Sequence, residues 1–121
     1  MAFKGIALLL TALCVVIFIF QIIFPSMADL GVLDQHSWTQ PWRFITAIFL
    51  HGSLAHLLYN AFALALFGTL LENFISSRRF VAVFLITGVF ANFIALAIYP
   101  SSLGASGAIF GVIGTLTLLR P

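Results

Sequence analysis

Apolar residues fall in four long runs separated by short polar stretches. The first, residues 5–24, matches the ~20 residues that cross ~30 Å of hydrocarbon. A cleaved leader is the competing reading, with Lys4 as charged start and Ser26-Met27-Ala28 as cleavage site. Leader cores are usually ~7–15 residues, so the longer run here predicts a retained span. The second run, residues 44–75, is too long for one simple span. Gly52 interrupts it and Ser53 suits an N-cap, which predicts an interfacial piece at 44–50 and a helix over 53–71. Ser76-Ser77-Arg78-Arg79 reads as a turn, and a third span follows at 80–98, ended by Tyr99-Pro100-Ser101-Ser102. The fourth predicted helix, 105–119, closes on Arg120-Pro121. The polar loop 25–43 carries Asp29, Asp34, His36, Trp38, Trp42 and Arg43, a mixture suited to headgroup level. The pattern predicts an all-α membrane protein, a polytopic bundle of four transmembrane helices.

Composition strengthens that picture. Of 121 residues, 63% are hydrophobic and 7% charged, against ~25% charged in a soluble domain. Lipid is therefore the expected solvent and first partner. A net charge of +2 is too small and scattered to point to nucleic acid. If four spans alternate, Lys4, Arg78, Arg79 and Arg120 share one side, which places both termini in the cytoplasm. Arg43, Asp29 and Asp34 then face outward with loops 25–43 and 99–103. The single cysteine, Cys14, excludes an internal disulfide and a thiolate cluster, and reads as an apolar packing or lipid-facing residue.

Candidate chemistry concentrates in two places. Leu103-Gly104-Ala105-Ser106-Gly107 puts a hydroxyl at the start of an apolar helix. That helix, at ~1.5 Å per residue, is ~22 Å long against a ~30 Å core. With Arg120 at the cytoplasmic surface, Ser106 lies at membrane depth, where irregular backbone must be buried in protein or line a watery cavity. The first-turn amides would suit a developing oxyanion. The competing reading is packing, because Gly107-x-x-x-Gly111 is a small-residue face. His56 and Asn60, four apart on one helical face, are the second place. Both can donate to an oxyanion, and both can equally serve as interhelical glue. His51 and His56 are five apart with no carboxylate beside them, so no metal site and no cofactor is expected. His36 reads as a solvated loop residue, His51 as a brace, and Glu72 as an interfacial charge near Arg78 and Arg79.

Taken together, Trp42-Arg43, then His51-Gly52-Ser53-Leu54-Ala55-His56-Leu57-Leu58-Tyr59-Asn60, then Gly104-Ala105-Ser106-Gly107 resemble the rhomboid family of intramembrane serine proteases. Their order and span assignment match the family's first four helices in a six-helix core. The resemblance implies that Ser106 is the nucleophile, with His56, Asn60 and the Ser106 amide forming the oxyanion hole. It implies structural roles for His51, Trp42, Arg43, Gly104 and Gly107. The family's base is a histidine on the sixth core helix, whereas the last histidine here is His56. The chain thus resembles a rhomboid truncated after the fourth helix, and C-terminal helices of the same protein become an implied partner. The Gly107/Gly111 face is then expected to stand open for helix association.

Two functions follow. One is an endopeptidase that cleaves transmembrane substrates near their outer ends. The other is a non-catalytic rhomboid-like protein that binds or escorts transmembrane helices. A small transporter or channel subunit fits less well, because no buried acid or ionisable pair is evident.

Overall fold

The computed structural model describes residues 4–120. Helix α1 spans Ile6–Ile23. A short α2 (Met27–Gly31), a 3₁₀ turn (Gln35–Trp38) and α3 (Arg43–Phe49) follow. The next long helix runs Leu54–Glu72. It begins as α4 (Leu54–Ala63), passes through one π-helical turn (Leu64–Gly68), and ends as α5 (Thr69–Glu72). Helices α6 (Ser77–Ile98) and α7 (Ser106–Leu119) complete an all-α bundle. Among the described residues, three helices are long and apolar enough to cross a bilayer: Ile6–Ile23, Leu54–Glu72 and Ser77–Ile98. The fourteen residues of α7 reach only ~21 Å.

The core lies where α7 meets the other helices. Leu64, Leu71, Phe80, Phe84, Ala108 and Val112 are buried there, with Ala7 and Ile48 closing the ends. Cys14 is packed inside. The α6–α7 contact is close because small residues face each other. A Cβ on Gly107 would collide with the Ala91 side chain, and one on Gly111 with Thr87. A Cβ on Gly88 would stand 2.6 Å from Ile48 Cδ1. The Gly107/Gly111 face is therefore occupied by α6. This corrects the expectation that it stands open, and the physical reason is that α6 supplies the complementary Ala91 and Thr87.

Two further expectations change. Ser76 to Arg79 is not a free turn. The Ser76 hydroxyl accepts the Arg79 N–H at 3.2 Å and caps α6, so both arginines lie in its first turn. Glu72 is not an interfacial charge either. It is buried, and its carboxylate accepts the α1 amides of Ala7 (2.6 Å) and Ile6 (3.1 Å). An anion at a helix N-terminus satisfies orphan donors and complements the helix dipole.

The polar loop is ordered by the same kind of bond. Asp34 accepts from the His36 N–H at 2.9 Å and donates its own N–H to Ser37 Oγ, a capping box on the 3₁₀ turn. Arg43 is buried, donating to the Val32 carbonyl (2.8 Å) and Gln40 Oε1 (2.6 Å). Trp42 Nε1 donates to the Leu30 carbonyl at 3.0 Å, and Thr46 Oγ1 to the Gly31 carbonyl at 2.7 Å. Leu33 and Ser102 exchange a pair of backbone bonds, each 2.9 Å, which ties the loop to the segment before α7. His51, between α3 and α4, is 1% exposed, with no hydrogen-bond partner for either ring nitrogen among the described residues. Burial pulls its pKa down to about 4, the His56 ring adds to this, and the Phe49 carbonyl opposes it weakly.

Two outcomes are expected. Gly107→Ala should destabilise the protein by about 1–3 kcal/mol through overpacking against Ala91. Gly114→Ala in the same helix, with nothing within 4 Å of its Cβ, should be neutral or mildly stabilising. Thermal unfolding in detergent compares them, and equal losses would rule out the close α6–α7 contact. The second concerns pH. The folded pKa of His51 lies below the ordinary value of 6.5, so the unfolded chain binds the extra proton first. Its contribution is whole above about 6.5 and is lost as pH falls toward 4. Denaturation midpoints should drop across that window, and His51→Phe should flatten the drop.

Candidate active site

The site assembles around the turn that leads into α7. Gly104 has φ +118°, a left-handed conformation that favours glycine. Space imposes the same choice, since a Cβ there would stand 2.6 Å from His56 Cε1 and 2.8 Å from Nε2. The His56 imidazole thus lies directly against the Gly104 backbone. The Gly104 N–H donates to the Ala47 carbonyl of α3 at 2.7 Å, which pins the turn. Two residues on, Ser106 opens α7, and its hydroxyl donates to Asn60 Oδ1 at 3.0 Å. Both Ser106 and His56 are half-buried, at the end of the bundle formed by loops 50–53 and 99–105.

Helix α4 delivers the other two groups. Ser53 Oγ accepts the His56 N–H at 3.1 Å and caps the helix. His56 and Asn60 share the face turned toward α7. Asn60 Nδ2 donates to the His56 carbonyl at 3.1 Å, and its oxygen faces Ser106. The Gly52 N–H donates to His56 Nδ1 at 3.5 Å, a long bond that fills the lone pair of that nitrogen. A neutral imidazole so held carries its proton on Nε2, the atom beside Gly104.

Ser106, His56, Asn60 and Gly104 therefore converge. His51 lies beside the group, its ring edge-on to His56 with centroids 5.1 Å apart. Trp42 and Arg43 lie outside the cluster and hold the loop. Gly107 serves the α6 contact. The acceptor of the Ser106 hydroxyl is an amide oxygen, which is not basic. Chemically, the cluster offers an alcohol at a helix N-terminus, first-turn amides, and an N–H donor from His56.

Three polar residues beyond the motifs support it. Gln21 of α1 bonds the main chain of His51 twice, donating to its carbonyl at 2.9 Å and accepting its N–H at 3.1 Å. Asn92 of α6 is buried and donates to the Phe44 carbonyl at 2.7 Å. Glu72 anchors α1. Their only signal in the sequence is a polar side chain inside an apolar run.

The Rhomboid domain family matches residues 38–121, which takes in the whole cluster. The rhomboid protease GluP of Bacillus subtilis is 44% identical over 89 residues, covering 71% of this chain and 17% of that protein. The putative rhomboid protease YdcA of the same organism is 40% identical over 89 residues, 71% of this chain and 43% of its own length. RHOMBOID-like protein 6 of Arabidopsis thaliana, mitochondrial, is 36% identical over 96 residues, 75% of this chain and 31% of its own. The chain thus spans less than half the length of these relatives. Apolar spans, the ordered loop and the clustered serine, histidine and asparagine agree with that match: the chain is an integral membrane protein that belongs to the rhomboid family.

Proposed function

We propose that this chain is the nucleophile-bearing part of an intramembrane serine endopeptidase that cleaves transmembrane protein substrates. The observation that carries the proposal is the Ser106 hydroxyl on Asn60 at 3.0 Å, beside an imidazole seated on Gly104. In this reading Ser106 Oγ attacks the scissile carbonyl. The developing oxyanion takes hydrogen bonds from His56 Nε2–H, the Ser106 backbone N–H and the Asn60 amide. Asn60 Nδ2 carries two N–H groups; one donates to the His56 carbonyl at rest, which leaves the second for the oxyanion. The serine proton needs a base, and no histidine follows Ser106 in the sequence. We assign that base to further helices of the same protein. The short α7 keeps Ser106 below the outer surface, within reach of both a lipid-embedded substrate and water.

One observation favours a second reading, a non-catalytic rhomboid-like protein that binds transmembrane helices. The serine hydroxyl is bonded to an amide, and the imidazole of His56 is placed as a donor.

Three outcomes are expected. Combined with a membrane fragment carrying the two further core helices of a rhomboid protease, the chain should label at Ser106 with a fluorophosphonate, and Ser106→Ala should abolish labelling and cleavage. Retained cleavage in that variant sinks the assignment, and absence of labelling favours the binding protein. In the same pairing Asn60→Ala should lower turnover ~10²–10³-fold at unchanged thermal stability, whereas the 121-residue chain alone should cleave nothing in a Ser106-dependent way. For orientation, single cysteines at Gln35 and Ser77 should label from outside and from the cytoplasm respectively. The reverse pattern would invert the topology.

A further inference from the structure

We infer that Gln21 of α1 is a positioning residue for the site, acting on the tautomer and orientation of His56 through the peptide that joins His51 to Gly52. The role rests on the proposed reading of the cluster; the coupling rests on geometry alone. The carboxamide of Gln21 donates to the His51 carbonyl at 2.9 Å and accepts the His51 N–H at 3.1 Å. That carbonyl belongs to the same planar peptide as the Gly52 N–H. In a trans peptide the two groups point in opposite directions. One end meets Gln21, and the other meets His56 Nδ1 at 3.5 Å. A bond accepted at the carbonyl polarises the amide N–H and strengthens its donation, as in any hydrogen-bonded chain at low dielectric.

The rest of the environment leaves this route in control. The His51 ring abuts His56 edge-on at 65° between ring planes, and neither of its nitrogens has a hydrogen-bond partner among the described residues. That ring is buried beside the Phe49 carbonyl, and its main chain is clamped at both its N–H and its carbonyl by Gln21. His56 is then held between the His51 ring and the Gly104 backbone, with Nδ1 facing the Gly52 amide. An Nδ1 that accepts forces the proton onto Nε2, beside the turn that carries Ser106. Loss of the Gln21 donor weakens the Gly52 bond and frees the competing Nδ1–H tautomer.

The test is ¹⁵N NMR of the 121-residue chain with labelled histidine, at a pH where imidazoles are neutral. Native His56 should be predominantly the Nε2–H tautomer. Gln21→Glu keeps an acceptor for the His51 N–H but, ionised, cannot donate to the carbonyl. It should raise the Nδ1–H fraction of His56 several-fold, as should Gln21→Leu. His36, exposed in the loop, should not respond in either variant. Glu72→Gln loosens the opposite end of α1 and should leave His56 unchanged, which separates positioning from general loosening of the helix. A native His56 protonated on Nδ1 overturns the inference without any variant. So does an equal response to Glu72→Gln, or none to the Gln21 variants. A His56 that responds while Ser106 never labels overturns the protease reading and leaves the coupling intact.

Discussion

Backbone groups inside hydrocarbon have no water to turn to, and the whole arrangement answers to that constraint. The long helices satisfy it internally. The segments between them do not, and many of their groups are met by a side chain from elsewhere. Gln21 serves the peptides on both sides of His51, and Asn92 serves Phe44. Arg43, Trp42 and Thr46 serve three neighbouring carbonyls, those of Val32, Leu30 and Gly31. Glu72 serves the first amides of α1, and Lys4 Nζ donates to the Ile75 carbonyl. An unpaired amide in an apolar setting costs several kcal/mol, so these bonds specify the irregular segments more strongly than loop packing alone.

A second set of bonds holds the cluster around Ser106. Its turn is held by Ala47 of α3, its imidazole neighbour by the loop after α3, and its hydroxyl by α4. Three elements distant in sequence are thereby fixed relative to α7. On the proposed reading, a site built this way would have little conformational search left when a substrate arrives, the condition under which aligned dipoles are most effective.

The fold class was legible in the sequence because hydrocarbon selects on a coarse property, the length and continuity of apolar runs. The polar cluster was legible because His56 and Asn60 share a helical face and Ser106 stands at a glycine-flanked helix start. The clamps were not. Gln21, Asn92 and Glu72 bond to main-chain atoms, which every residue has, so no pairing pattern marks their partners. Glu72 was read against the nearby arginines because charge is visible in sequence, whereas the free amides of another helix are not. Gly107 and Gly111 announced a close contact correctly but not with which helix, and α6 proved to be the one.

The π-helical turn at Leu64–Gly68 has a consequence for how this helix tolerates changes in length. A π turn holds one more residue than an α turn. Here it keeps Asn60, Leu64 and Gly68, spaced four apart, all buried on the inner side. Straightening the turn into regular α-helix with every residue kept would rotate one half against the other by about 100°. Either Asn60 would leave Ser106 or Glu72 would leave the end of α1. The wide turn absorbs one residue and so lets one helix satisfy two partners whose phases do not agree, and a single deletion is better tolerated in this stretch than in the regular α-helix on either side.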